Sequence, residues 1–205
     1  TVALVGVAAT LAACSDRVGV IAGPAPVNAL FQSYVSLGNS ITAGYQSGGI
    51  TDTTQRESYA FLLAQAMHTR FAYPSLVAPG CPPPIVNFQT QARLDDSSST
   101  SCLLRNPASV TAALNNVAVP GATSMDPTTV STPASNPLTT FILGGKTQAQ
   151  RAADAQPTFL SVWIGNNDVL PAAVSGLLVP TSGVSPGVTS EATFETKYKE
   201  MLRQL

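Results

Sequence analysis

The sequence predicts an α/β fold, a three-layer α/β/α sandwich around a mostly parallel β-sheet. Short apolar runs that end at glycine alternate with segments of helical periodicity, and this alternation is typical of strand–helix–strand units. The chain has 205 residues, of which 44% are hydrophobic, so it is long enough for one sizeable core. Its sixteen prolines and fifteen glycines indicate long ordered loops rather than a helical bundle.

The first predicted elements are a strand and a long helix. Residues 31–38 contain aromatic and β-branched side chains and stop at Gly38, which predicts a strand. Apolar residues recur at helical spacing over Arg56–Arg70, which predicts a helix there. The expected buried face of this helix comprises Tyr59, Leu62, Leu63, Ala66 and Met67.

The central part of the chain predicts two more strands and a helix. Asn115–Ser124 indicates a short strand broken at Pro120 and Gly121, followed by a loop rich in Pro, Ser and Thr. Lys146–Ala155 predicts a helix, and Thr158–Gly165 predicts a buried strand.

Two segments complete the predicted domain. Leu170–Val188 lacks charged residues and is rich in turn formers, which is typical of an insertion. A final helix is expected from Thr193 to the end of the chain. Its predicted apolar face comprises Phe194, Tyr198, Met201, Leu202 and Leu205.

The N-terminal residues have the pattern of an export signal. Thirteen uncharged, mostly apolar residues precede Cys14, too few to span a bilayer but suited to a secretory signal. The preceding Leu-Ala-Ala is similar to the lipobox of bacterial lipoproteins, which implies membrane anchoring through a lipidated Cys14. With Ser15 next, we expect an outer-membrane lipoprotein of the bacterial cell envelope, facing the periplasm or the exterior. The alternative is a buried apolar segment with an incidental cysteine.

The predicted organisation follows from this pattern. Residues 1–14 are expected to be the remnant of a signal peptide, residues 15–30 a tether, and residues 31–205 the folded domain. Because no Met and no basic residue precede the apolar run, the chain is expected to begin inside its signal.

Two cysteines remain for the domain, Cys81 and Cys102. In an exported protein such a pair predicts a disulfide; the alternative is two reduced cysteines in a metal site. Only 10% of the residues are charged and the net charge is −1, which argues against nucleic acid as a partner. The sequence implies no metal or organic cofactor.

Three predicted strands end in loops that hold glycine together with serine or asparagine. In a parallel sheet these carboxyl ends meet at one edge, where active sites of α/β proteins lie. "SLGNSITAGYQ" resembles the first conserved block of the SGNH (GDSL-type) hydrolases, "NVAVPGATS" the second and "SVWIGNNDVL" the third. The third block matches the family pattern Gly-x-Asn-Asp completely, at Gly165, Asn166, Asn167 and Asp168. The resemblance implies the flavodoxin-like SGNH fold over residues 31–205.

The resemblance also implies roles for individual residues. Ser40 would be the catalytic nucleophile, and its backbone N–H, the Gly121 N–H and the Asn167 side chain would form the oxyanion hole. Gly38, Asn39, Gly165 and Asp168 support the motifs, with Asp168 expected to be structural. Asn39 stands where the family usually has Asp, so this side chain keeps its size but lacks the charge.

The family's general base is a histidine in Asp-x-x-His near the C-terminus. The sequence contains one histidine, His68, which lies on the predicted first helix and is expected to be a surface residue. No Asp-x-x-His occurs in the sequence, so we expect the chain to be a fragment that lacks the last part of its domain and is inactive by itself.

The expected function is an exported, lipid-anchored serine esterase or lipase. Its partners would be an ester substrate (a lipid, a small ester or an acylated sugar) and the membrane. Residues 170–188 would lie next to Asn167 and either line an acyl pocket or serve as a packing loop. Two alternatives remain open: an SGNH-fold lipoprotein that has lost catalysis and acts as a binding module, and a carbohydrate deacetylase.

Overall fold

The computed structural model describes residues 28–96, 113–129, 142–176, 178, 180–181 and 187–205. The α-helices in these ranges are Ser40–Ala43 (α1), Asp52–Arg56 (α2), Tyr59–Ala66 (α3), Gln148–Asp154 (α4), Asn166–Ser175 (α5) and Glu191–Gln204 (α6). The strands are Tyr34–Gly38 (β1), Ile85–Asn87 (β2), Ala92–Arg93 (β3), Phe159–Trp163 (β4), Pro180–Thr181 (β5) and Val188–Thr189 (β6). The predictions for Cys14, Cys102 and most of the tether fall outside the described residues.

Strand β1 is the centre of a small parallel sheet. It pairs with β4 in parallel, from Tyr34 opposite Phe159 to Gly38 opposite Trp163. On its other edge the segment 116–119 runs parallel to it, and the Val119 N–H donates to the Gly38 carbonyl oxygen at 3.0 Å. This segment makes a single bridge to β1 and is the predicted second strand in a less regular form.

Helices pack against both faces of β1. Its side chains alternate between the two faces, so each face contributes to a different cluster. Tyr34 packs in a cluster with Ala64 and Met67 of the α3 region. Val35 and Leu37 belong to a separate cluster, which they share with Ala152 of α4 and Met201 of α6. The predicted α/β class and its three layers are thus confirmed, although the described sheet is small.

The predicted helix over 56–70 is shorter in the structure: α3 runs from Tyr59 to Ala66, and Arg56 is the last residue of the separate helix α2. Helix α2 ends at Arg56, and α3 begins after Ser58, whose hydroxyl accepts a hydrogen bond from the Phe61 N–H at 3.3 Å. A serine that caps a helix in this way takes an extended backbone, which separates the two elements.

The buried face of α3 also differs from the predicted one. The buried residues are Ala60 and Ala64, together with Met67 directly after the helix, whereas Leu62 is 52% exposed. The small alanine side chains let α3 approach Tyr34 and its neighbours closely. The alanine face therefore packs against the sheet, and the face that carries Leu62 does not.

The predictions for strand β4 and for the insertion at residues 170–188 differ from the structure. The predicted buried strand lies where expected, but its residues are partly exposed and Trp163 is 47% exposed. Among the described residues β4 pairs only with β1, which leaves its second edge uncovered there. Leu170–Ser175 is not a loop but the second half of α5, with Pro171 inside the helix and Gly176 ending it in a left-handed conformation.

Helix α6 starts at Glu191, two residues before the predicted start, behind the N-cap Ser190. Met201 is fully buried, whereas Leu202 is 54% exposed, so only part of the predicted apolar face is covered. In the described part of the chain, none of the helices combines the length and the apolar character needed to cross a bilayer.

Candidate active site

Ser40 is the first residue of α1, directly after β1. The preceding Asn39 caps the helix: its side-chain oxygen accepts a hydrogen bond from the Ile41 N–H at 3.1 Å. The backbone N–H and the hydroxyl of Ser40 donate no hydrogen bond within the described residues, and the side chain is partly exposed. The serine predicted as nucleophile is therefore accessible at the carboxyl edge of the sheet.

The backbone that leads from β1 to Ser40 is held in place by Gly38 and by the buried side chain of Gln148. A Cβ on Gly38 would lie 2.2 Å from the Thr42 hydroxyl and 3.1 Å from the Trp163 carbonyl oxygen, so no side chain fits there. The Gly38 N–H donates to Oε1 of the fully buried Gln148 at 3.3 Å. Gln148 comes from α4, and no motif in the sequence singled it out.

Gly121 lies in an exposed turn after the segment beside β1, with φ of 85°. This left-handed backbone favours glycine. Its N–H has no hydrogen-bond acceptor among the described residues. Asn116 fixes the start of this segment, since its buried side-chain amide donates to the Thr42 carbonyl oxygen at 2.9 Å.

Asn167 lies in the first turn of α5 and reaches across to the Gly121 turn. Its Nδ2 donates one hydrogen bond to the Ala122 carbonyl oxygen at 2.9 Å. The second Nδ2 hydrogen has no partner in the described part of the chain. Because the side chain of Asn167 contacts the residue after Gly121, the second and third motifs meet at one place.

Asp168 and Gly165 hold this arrangement together. The buried Asp168 carboxylate accepts hydrogen bonds from the Ser124 N–H at 2.8 Å and the Ser124 hydroxyl at 2.6 Å. Gly165 precedes α5 with φ of 126°, and a Cβ there would lie 3.3 Å from the Phe194 ring. Asp168 thus ties α5 to the loop after Gly121.

Three N–H donors without an acceptor in the described ranges therefore belong to one edge of the sheet: the Ser40 N–H, the Gly121 N–H and one hydrogen of Asn167 Nδ2. Pairing of Gly38 with Trp163 and with Val119 aligns the ends of the segments that carry them. An arrangement of this kind can stabilise negative charge that develops on an oxygen near Ser40.

The other predicted residues lie elsewhere or outside the description. His68 is exposed just beyond the end of α3 rather than on the helix, with φ of 54°, and forms no side-chain contact to Ser40 in the described residues. Cys81 is buried and disulfide-bonded. Its predicted partner Cys102 lies outside the described residues, so the pairing stays a prediction.

A cavity of about 620 Å³ opens beside the first turn of α5. Its lining is mainly apolar and includes Gly165, Val169, Val188 and Phe194, together with Glu191. Val188 comes from the segment expected to lie next to Asn167. That segment therefore reaches the same turn of α5 that carries the asparagine.

On this α/β scaffold a serine follows a parallel strand, and N–H donors that have no acceptor among the described residues lie at the same edge of the sheet, an arrangement typical of hydrolase sites. The family model for GDSL-like lipase/acylhydrolase matches residues 34–205, and the chain belongs to this family. Membership supports a hydrolase of the esterase type and an ester as the class of substrate. Comparison with curated proteins and with solved structures gave no match.

Proposed function

We propose that this protein is an exported, lipid-anchored serine hydrolase that cleaves carboxylic esters through an acyl intermediate on Ser40. The observation that carries the proposal is a set of N–H donors at one edge of the sheet that have no acceptor among the described residues: the N–H groups of Ser40 and Gly121 and one hydrogen of Asn167 Nδ2. Ester hydrolysis needs such donors because its tetrahedral intermediate carries a negatively charged oxygen.

In the proposed reaction the Ser40 oxygen forms a bond to the carbonyl carbon of the ester. The π electrons of the carbonyl move to its oxygen, which is held by the three donors, and the Ser40 proton passes to a general base. Collapse of the intermediate expels the alcohol, which takes up that proton. Water then attacks the acyl group in the same way and restores Ser40. Each oxyanion donor contributes about 3–4 kcal/mol to transition-state stabilisation.

The general base of the proposal is a histidine, which the family supplies in an Asp-x-x-His motif that residues 1–205 do not contain. The exposure of His68 and its position beyond α3 support the view that it is not this base. The substrate would be a lipid, a small ester or an acylated sugar.

Export and anchoring rest on the apolar run that ends at Cys14. We expect the protein in bacterial cells to incorporate radiolabelled palmitate and to fractionate with the outer membrane. A Cys14→Ser variant should lose the label and leave the membrane fraction. Unchanged labelling in that variant would remove the anchoring part of the proposal while leaving the hydrolase part intact.

The hydrolase part is tested by turnover of a short p-nitrophenyl ester by the natural full-length protein. Ser40→Ala should abolish turnover, because Ser40 supplies the oxygen that forms the proposed acyl intermediate. Ser47→Ala is the matched control, since Ser47 is an exposed serine in the turn after α1 and should be replaceable without loss. Unchanged turnover in Ser40→Ala would refute the assignment, and no turnover in the wild type would favour a binding module.

A further inference from the structure

Three asparagine side chains form a continuous line of hydrogen bonds across the carboxyl edge of the sheet. Asn39 Nδ2 donates to Asn166 Oδ1. Asn166 Nδ2 lies 3.4 Å from Asn167 Oδ1, and Asn167 Nδ2 donates to the Ala122 carbonyl oxygen at 2.9 Å. This amide chain, Asn39–Asn166–Asn167, connects the first and third motifs and ends at the loop of the second.

Backbone groups fix the direction of the amide chain at both ends. At the first end the Ile41 N–H donates to Asn39 Oδ1, so the Asn39 NH₂ group must point toward Asn166. At the far end the Ala122 carbonyl can only accept, so it requires the NH₂ group of Asn167. Both ends impose the same direction, and a reversed amide at any position would place two acceptors or two donors face to face.

We infer that Asn39 and Asn166 are positioning residues that hold the Asn167 side chain in the orientation required for the oxyanion hole. With Oδ1 of Asn167 turned toward Asn166, its Nδ2 faces Ala122 with one hydrogen and keeps the other for substrate. The catalytic consequence of this inference rests on the proposed function, whereas the orientation of Asn167 can be tested without turnover.

The inference accounts for the asparagine at position 39, where the family usually has an aspartate. An ionised carboxylate only accepts hydrogen bonds, so an aspartate side chain at this position would oppose the Oδ1 atom of Asn166. Rotating Asn166 and then Asn167 to satisfy it would end with Asn167 Oδ1 against the Ala122 carbonyl. Asn39 is fully buried, and a charge there would also lose its hydration. A neutral amide at position 39 therefore goes together with the asparagine at position 166.

Two variants each remove the side-chain N–H donor of one asparagine in the amide chain and keep its acceptor oxygen. Asn39→Asp can still cap α1 at the Ile41 N–H but has no N–H for Asn166. Asn166→Asp can still accept from Asn39 but has no N–H for Asn167. Asn115→Asp is the matched control, because Asn115 makes the same two kinds of bond, from the Ala72 N–H and to the Tyr34 carbonyl oxygen, outside the amide chain.

The first readout is the side-chain amide signal of Asn167 in spectra of the full-length protein labelled with ¹⁵N-asparagine. We expect the Asn167 NH₂ signals to shift and to exchange faster with water in Asn39→Asp and Asn166→Asp, but not in Asn115→Asp. Unchanged Asn167 signals in both chain variants would overturn the inference.

The second readout is turnover of a short p-nitrophenyl ester. Each chain variant should lower kcat by about 10-fold to 100-fold with little change in KM, because a misplaced donor acts on the transition state. In an Asn167→Ala background the same substitutions should have no further effect on kcat, since they act through Asn167. Equal losses of kcat in the wild-type and Asn167→Ala backgrounds would show that Asn39 and Asn166 have only a structural role, and would overturn the inference. Shifted Asn167 signals in a protein without any turnover would support the positioning and contradict the proposed function.

Discussion

Asp168 shows how a buried carboxylate can serve the site without taking part in chemistry. It is only 3% exposed, and both of its oxygens accept hydrogen bonds from Ser124. Asp168→Asn places an NH₂ group against one of these donors, and we expect a loss of about 1–3 kcal/mol in the free energy of unfolding. Urea unfolding of the purified variant measures this loss.

Asp154→Asn is the control for this prediction. Asp154 is more exposed and pairs with Lys146 at the surface, so its replacement should cost less than about 1 kcal/mol. Equal losses in the two variants would contradict the role of Asp168 as the tie between α5 and the loop after Gly121.

The environment of Asp52 makes its contribution to the free energy of unfolding sensitive to acid. Partial burial acts to raise its pKa, but hydrogen bonds from Ser75 and Tyr73 and the charge of Arg56 outweigh this, so the Asp52 pKa is lowered. A group with a lowered pKa in the folded state stabilises the protein above its unfolded pKa, and this contribution is lost as the pH falls through the folded pKa.

Asp52→Asn should therefore lower the stability by about 1 kcal/mol at pH 7, a modest value because the side chain is partly exposed. The difference between variant and wild type should shrink as the pH is lowered below about 4. Thermal unfolding at pH 7 and pH 3 measures both values. A stability difference between Asp52→Asn and the wild type that is the same at pH 7 and pH 3 would contradict a lowered Asp52 pKa.

The sequence predicts candidate site residues where they lie in contiguous motifs. Ser40, Gly121 and Asn167 each belong to a recognisable block, and the sequence predicts all three. The contribution of Asn166 was not predicted, because its partner Asn39 lies 127 positions away. Gln148 was missed for the same reason, since its bond to Gly38 spans 110 positions.

At the level of single elements, α3 ends in a motif that usually requires glycine. The Thr69 N–H donates to the Ala64 carbonyl oxygen and the His68 N–H to that of Gln65, at 3.0 Å each. This is a Schellman motif with His68 in the left-handed position, at φ of 54°. His68→Gly should relieve the strain and stabilise the protein by about 0.5–1 kcal/mol.

The same variant tests whether His68 has a catalytic role. We expect His68→Gly to raise the melting temperature and to leave ester turnover unchanged. His68→Ala keeps the strained backbone, so it should not be stabilised. Loss of turnover in both variants would identify His68 as the base and contradict its assignment as a surface residue.

The junction of β1 and α1 is sensitive to side-chain volume at Gly38. Gly38→Ala brings a methyl group against the buried Thr42 and the Trp163 carbonyl oxygen, and we expect a loss of about 1–3 kcal/mol in stability together with lower turnover. Gly176→Ala strains the backbone at φ of 73° but has open space around it, so it should leave turnover unchanged. Equal turnover in both variants would contradict a close fit at this junction.

The sequence located the elements better than it located their ends. Periodicity placed a helix near α3, but the cap at Ser58 starts this helix at Tyr59, and it ends at Ala66 rather than at Arg70. Pro171 and the turn residues after it predicted a loop, yet the proline is accommodated inside α5. Local side-chain bonds and the packing of neighbouring elements decide such boundaries, and hydrophobic periodicity does not record them.

On the scale of the whole molecule, the alternation of strands and helices correctly predicted the α/β class. The parallel order, with β1 between β4 and the segment 116–119, brings the ends of three motifs to one edge. Their joining by Asn39, Asn167 and Asp168 could not be predicted, because it depends on contacts between residues 44 or more positions apart.

Covalent labelling shows whether Ser40 is the activated nucleophile of this protein. The natural full-length protein would be treated with a fluorophosphonate, which reacts with activated serines, and the modified peptide mapped by mass spectrometry. We expect one adduct, on Ser40, with loss of ester turnover in proportion to labelling and no adduct in Ser40→Ala. Loss of turnover through an adduct on another residue, with Ser40 unmodified, would contradict the role of Ser40 as nucleophile.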